Sequence, residues 1–183
     1  MRKALLIASV LFIAVITTAC INNIAVQELN NKAAEYMQKG DYESAMNRLQ
    51  ASLDLDATMY ETYYNLGIAA TNAKKYEKAI EAFVNGIKIK EDYPNFYYSL
   101  AVAQSSFADE LVEENVYNEE KQETEKRTVT DEDKQRAAGL KDEAASNFKK
   151  YLELEPNAKD RAEVEVLIKD CLGEETQTEA VAQ

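Results

Sequence analysis

Residues 40–45 read Gly40-Asp41-Tyr42-Glu43-Ser44-Ala45 and residues 74–79 read Lys74-Lys75-Tyr76-Glu77-Lys78-Ala79, so a tyrosine, a glutamate and an alanine return after 34 residues. The register holds further along, pairing Leu49 with Phe83, Leu53 with Ile87 and Leu55 with Ile89. Self-similarity at a fixed period of this length marks an array of small units, none of which buries its apolar face alone. Two full units follow, at about 26–59 and 60–93. Apolar residues spaced three and four apart within each make both halves helical.

The second unit resembles the tetratricopeptide repeat: Tyr63 stands in the aromatic slot, Leu66-Gly67 follow it, and Tyr76, Ala79, Phe83 and Gly86 occupy the second helix. The first unit keeps Ala33, Tyr36, Gly40 and Ala45 of the same pattern. Small residues at Ala33, Gly67, Ala45 and Ala79 let the paired helices approach closely, and the larger side chains fill the space between units. A third unit opens at Pro94, with Tyr97, Leu100 and Ala101 in the places of Tyr63, Leu66 and Gly67, and then stops. The pattern resumes at Gly139 with Ala144, Phe148, Tyr151, Leu152, Leu154 and Pro156. The resemblance thus implies an all-α helical-hairpin solenoid of about three repeats, the third (94–107 plus 139–157) interrupted by a charged helical insertion at 108–138. Residues 158–172, with Ala162, Val164, Val166, Leu167 and Cys171, suit a C-terminal capping helix that closes a domain spanning 26–172. Gly173 ends it, and 173–183 reads as a disordered tail.

The insertion carries eleven Asp or Glu against five Lys or Arg, a net of −6 and half of the chain's formal −12. Leu111, Val112, Val116 and Tyr117 keep a helical spacing, Asn118 to Arg127 has no apolar face, and Thr130-Asp131-Glu132-Asp133 reads as a helix start with Thr130 as N-cap. The expectation is a projecting helical hairpin with a mobile charged tip. It reads either as a partner-specific arm or as a solvated elongation of two helices.

The acidic balance argues against a nucleic-acid partner, because phosphate binding depends on Lys and Arg. The chain has no histidine, which removes the commonest general base near neutral pH and the commonest metal ligand. No catalytic residue, metal site or cofactor is expected. The two cysteines, Cys20 and Cys171, show no metal-ligand spacing. Cys171, on the apolar face of the capping helix, reads as a small buried hydrophobe, with intermolecular disulfide formation as the sharper alternative.

The chain opens MRKALLIASVLFIAVITTAC, with Arg2 and Lys3 before an apolar run from Ala4 to Ile16 and small residues before Cys20. This is the form of a secretory leader. In helix the run reaches only about 20 Å, short of a bilayer's hydrocarbon core. Thr17-Thr18-Ala19-Cys20 resembles the lipobox of bacterial lipoproteins, with Thr17 standing where that pattern usually has Leu. The resemblance implies a signal peptide over 1–19, lipidation of Cys20 and a linker over 20–25. It further implies export and lipid anchoring at the cell membrane, with Ile21 rather than Asp favouring the periplasmic face of an outer membrane in a Gram-negative cell. An uncleaved anchor extended through Ile21 and Ile24, or ordinary secretion, are the alternatives.

In the resembled family the inner face of the first helices carries binding residues. By alignment these are Asn30, Ala34, Met37 and Gln38, then Tyr64, Ile68, Thr71 and Asn72, then Tyr98, Val102 and Ser105. Asn31 and Asn65 lack the matching cations of the carboxylate clamp some members use. Tyr64 and Tyr98 read either as a ladder for a bound peptide, with Asn72 and Gln38 donating to its backbone, or as packing between units. The function this implies is a membrane-tethered scaffold binding a protein or peptide partner in the bacterial envelope. A small hydrophobic ligand carrier or transporter accessory, and a peptidoglycan-acting enzyme needing two buried carboxylates in one cleft, stand as other classes.

Overall fold

The computed structural model describes residues 23–118 and 123–174. The leader, Cys20 and most of the tail lie outside the described residues. The chain folds as helical hairpins. The first pairs α1 (23–38) with α2 (Tyr42–Leu55), the second α3 (Tyr60–Asn72) with α4 (Tyr76–Ile89), and the third α5 (Pro94–Val112) with α6 (Asp131–Leu154). A final helix, α7 (Arg161–Leu172), covers the last pair. This is the all-α repeat solenoid with a capping helix that the resemblance to tetratricopeptide repeats implies.

Local chemistry sets each reversal. Gly40 turns the first hairpin at φ +74°, a conformation that suits a residue without Cβ. Asp41 then caps α2, its side chain accepting from the Ser44 N–H at 3.0 Å. The equivalent turn of the second hairpin places Lys74 at φ +56°.

The repeated small residues do what the spacing implies. Ala33, Ala45, Ala69, Ala70 and Ala79 are buried beside Met46, Leu49, Leu66, Phe83 and Phe96 in one core spanning the first two hairpins and the start of α5. A Cβ on Gly67 would sit well inside van der Waals contact with the ring of Phe83, and one on Gly86 would meet Phe96 in the same way.

Between α5 and α6 the expected charged helical insertion is corrected in part. Both helices do run past the repeat boundary, to Val112 and from Asp131. Between them, however, the described residues form an antiparallel two-stranded ribbon, β1 (Asn115–Asn118) with β2 (Glu123–Lys126), in a backbone register that pairs Val116 with Glu125 and Tyr117 with Thr124. The physical reason lies in local preference: Val, Tyr and Thr favour strands, and Asn118 to Arg127 has no apolar face to continue the helical spacing of Leu111, Val112, Val116 and Tyr117. The expected tip, 119–122, lies outside the described residues.

Nor does the arm project freely, because it is fastened at both ends. Arg127 donates to the Leu111 and Glu110 carbonyls at 3.0 and 3.3 Å, closing the end of α5, and pairs with Asp133 at 3.2 Å. Thr130 accepts from the Asp133 N–H and donates its own N–H to that carboxylate, a capping box that starts α6. These bonds hold the Asp133 carboxyl below its ordinary range, with Arg127 adding to the effect. Phe107 of α5 stacks on Tyr76 of α4 at 5.9 Å, and Arg136 of α6 pairs with Glu77 at 2.6 Å. The arm thus leans on the second hairpin.

The capping helix buries Val164, Ile168 and Cys171 against Ala101, Ala144, Ala145 and Phe148, while Ala162 and Val166 face outward. Arg161 donates to the Pro156 and Leu152 carbonyls at 3.1 and 3.3 Å, satisfying the end of α6. Tyr151 donates its hydroxyl to Asp160 at 2.9 Å.

Candidate functional site

The first helices of the three hairpins, α1, α3 and α5, present matching positions at intervals of 34 residues, and these positions divide by what surrounds them.

Asn30, Tyr64 and Tyr98 turn into the joints between elements. Asn30 donates to the Val26 carbonyl at 2.9 Å and to Ser52 Oγ at 2.8 Å, and accepts from Thr62 Oγ1 at 3.1 Å. Ser52 and Thr62 are both fully buried, so one carboxamide supplies the partners that two sequestered hydroxyls need. Tyr64 packs edge-on against Phe96 and Tyr93 and lies 6.1 Å from Phe83, its hydroxyl accepting from Ser99 at 3.4 Å. Tyr98 meets Phe148 at 5.6 Å and Tyr151 at 5.3 Å. Burial, with Asp160 and Glu163 nearby, pushes its phenol upward.

The next positions along the same helices are open to different degrees. Ala34 is exposed, while Ile68 and Val102 are half-buried against the core. Met37 is half-buried beside Tyr36. Thr71 donates to the Gly67 carbonyl at 2.9 Å, and Ser105 accepts from Lys141 at 2.9 Å and from the Cys171 thiol at 3.9 Å. Burial pushes that thiol up, with Ser105 and Lys141 opposing.

Gln38 and Asn72 lie exposed at the far ends of α1 and α3. Asn72 donates Nδ2–H to the Ile68 carbonyl at 2.8 Å. Asn31 is exposed and Asn65 half-buried. The open strip is therefore small aliphatic groups flanked by carboxamides and hydroxyls. Lys141, which donates to Ser105, is held by Asp109 at 2.7 Å. Such a surface offers hydrogen bonds and modest apolar contact through uncharged side chains.

The surface depressions lie elsewhere. One of about 290 Å³ sits on the outer side, among Gln50, Leu53, Tyr63, Lys78 and Glu81. Others of about 560 and 460 Å³ flank the shoulder where Lys74 and Tyr76 meet Glu110 of the arm. Sequence reasoning did not anticipate this shoulder, because its contacts join residues of different hairpins. Among the described residues no group of Cys, Asp and Glu side chains is arranged to hold a metal ion, and no helix is long and apolar enough to cross a membrane.

Comparison with known proteins bears on the fold. Residues 33–70 and 71–106 match the TPR repeat family. No curated protein sequence matches the chain. Among solved structures, the second TPR domain of human RPAP3 in complex with the HSP70 peptide SGPTIEEVD superposes with a TM-score of 0.60 at 17% identity, covering 81% of this chain and 98% of that one. The Yersinia enterocolitica type III secretion chaperone SycD, in complex with a peptide of the translocator YopD, gives 0.56 at 20% identity over 80% of this chain and 88% of that one. The MamA protein gives 0.60 at 22% identity over 85% and 67%. At these identities the likeness is one of fold. Residues 33–106 carry the match to the TPR repeat family, and the chain is built as a tetratricopeptide-repeat-like helical solenoid.

Proposed function

We propose that this protein is a tethered adaptor of the bacterial cell envelope, whose repeats hold a protein or peptide partner on the inner face of α1, α3 and α5. The observation that carries this reading is the strip formed by Ala34, Gln38, Ile68, Asn72 and Val102. It is half-open, uncharged and recurs with the repeat, as a surface offered to an extended or helical peptide does. Solved structures of similar fold, SycD and RPAP3 among them, are described as complexes with peptides. That supports a peptide ligand here. The absence of histidine from the sequence favours binding over acid–base catalysis.

The leader supports the tether. Acylation at Cys20 with removal of residues 1–19 fixes the protein to the cell membrane, and several acyl chains on one terminus anchor durably where a single chain does not. Ile21 favours delivery to the periplasmic face of an outer membrane where the cell has one.

Photocrosslinkers placed at Gln38 and Asn72 in the native cell test the inner face. A discrete adduct from both positions is expected. Adducts arising only from a crosslinker at Glu132, on the arm, would move the binding surface away from the strip. For the tether, Cys20→Ser should release the protein from the membrane fraction.

A further inference from the structure

Short turns at 39–41, 56–59, 73–75 and 90–93 reverse the chain each time. The starts of α1, α3 and α5 therefore share one rim with the ends of α2 and α4. Among the described residues, three large aliphatic side chains are exposed at this rim: Ile24 at 66%, Leu55 at 43% and Ile89 at 42%. Leu55 and Ile89 are repeat equivalents, 34 residues apart. Exposed singly such residues need no explanation; their position relative to Cys20 gives them one. The described helix α1 is already formed at residue 23. Three residues of chain span at most about 11 Å, so an acylated Cys20 holds the first turn of α1, and Ile24 with it, at the bilayer surface.

We propose that this rim rests on the headgroup region of the leaflet that holds the acyl chains, with Ile24, Leu55 and Ile89 as its apolar contacts. The inference rests on the tethered reading given above. The charges on the rim specify the lipid. Around Leu55 and Ile89, Asp54, Asp56, Glu61, Glu91 and Asp92 outnumber Lys88 and Lys90, and where α6 ends and α7 begins Glu153, Glu155, Asp160 and Glu163 outnumber Lys150, Lys159 and Arg161; Lys90 is already paired with Asp92 at 2.7 Å. An acidic surface is repelled by anionic headgroups, so the occupant is a zwitterionic lipid such as phosphatidylethanolamine. The arm lies at the opposite rim, where α5 ends and α6 begins. A helix of the length of α3 stands about 20 Å tall, so the arm is presented away from the bilayer while the inner face opens sideways.

The test uses the mature acylated chain carrying Cys171→Ser, reconstituted in phosphatidylethanolamine–phosphatidylcholine vesicles, with one fluorophore at Ile89→Cys or at Val112→Cys. Both positions are aliphatic and 42% exposed, but they lie on opposite rims. Lipids brominated close to the headgroup should quench the position-89 probe roughly threefold more than the position-112 probe, as a contact confined to the interface requires. Equal quenching, with intact mass showing the acyl chains present, overturns the proposal and leaves the tether standing. A position-89 probe shielded from water yet unquenched by lipid assigns the rim to a protein partner and also overturns it. An intact mass without acyl chains removes the tether, and the rim's assignment with it.

Discussion

The guanidinium of Arg136 on α6 lies over the ring of Phe107 on α5, 4.7 Å from its centroid, and reaches across to Glu77 on α4 at 2.6 Å. One side chain thus joins the base of the arm to the second hairpin. Arg136→Ala should lower unfolding stability by about 1 kcal/mol, since an exposed cation–π contact and a surface ion pair are each worth that or less. It should also speed amide exchange across residues 113–130. Arg136→Lys keeps a charge for Glu77 but not the planar stack, and should restore only part of the protection. Unchanged exchange in the alanine variant would mean that the arm is held by Arg127 and Thr130 alone.

Gly67→Ala sets two effects against each other. Alanine gains about 1 kcal/mol of helix propensity over glycine, but its Cβ would press on the ring of Phe83. Overpacking of a closed core costs about 1–3 kcal/mol, so the variant should melt at a lower temperature. Combining it with Phe83→Leu should cost less than the sum of the two single changes, because both act on one space. A rise in melting temperature for Gly67→Ala alone would show that the two helices can separate to admit the methyl.

Asn30 and Gln38 occupy one helix and should answer differently. Asn30→Ala leaves the buried hydroxyls of Ser52 and Thr62 without their partner, at a cost of about 1–3 kcal/mol in urea unfolding. Gln38→Ala, on an exposed side chain, should leave unfolding unchanged and weaken crosslinked capture of the partner. The reverse pattern would remove Gln38 from the binding face.

The Tyr151 phenol is pushed from 10.0 up to about 12 by burial and by its bond to Asp160. A folded-state pKa above the unfolded one means that the neutral phenol is favoured in the native protein. Its contribution is whole below pH 10 and is lost as pH rises from about 10 to about 12. Urea midpoints taken over that window should fall more steeply for the wild type than for Tyr151→Phe. Parallel curves would place the alkaline loss in other groups.

Much of this architecture is legible in the sequence because the repeat is short and its small residues are fixed by close helix contact. Small residues at Gly67 and Ala79 for close helix approach are read from the 34-residue pattern, and Thr130 at the head of α6 from its cap signature. The ribbon between β1 and β2 is not, since Leu111, Val112, Val116 and Tyr117 also fit a helical spacing. The inner face is partly legible. Its positions follow from the period, but whether a side chain there points into a joint depends on the next unit. Tyr64 meets Phe96 and Asn30 meets Thr62 only after the hairpins stack. The Arg136–Phe107–Glu77 contact spans three helices and leaves no trace in any local window.

A stack of units that touch only their neighbours flexes like a coil spring, with each joint equally compliant. Here the joint between the first two hairpins carries, besides its core and the Asn30–Thr62 tie, an exposed ion pair between Lys75 and Glu43. The joint between the second and third is braced by Phe107, Arg136 and the overlong helices that bear them. Bending is therefore expected to concentrate at the first joint, widening the gap between α1 and α3 while α3 and α5 move together.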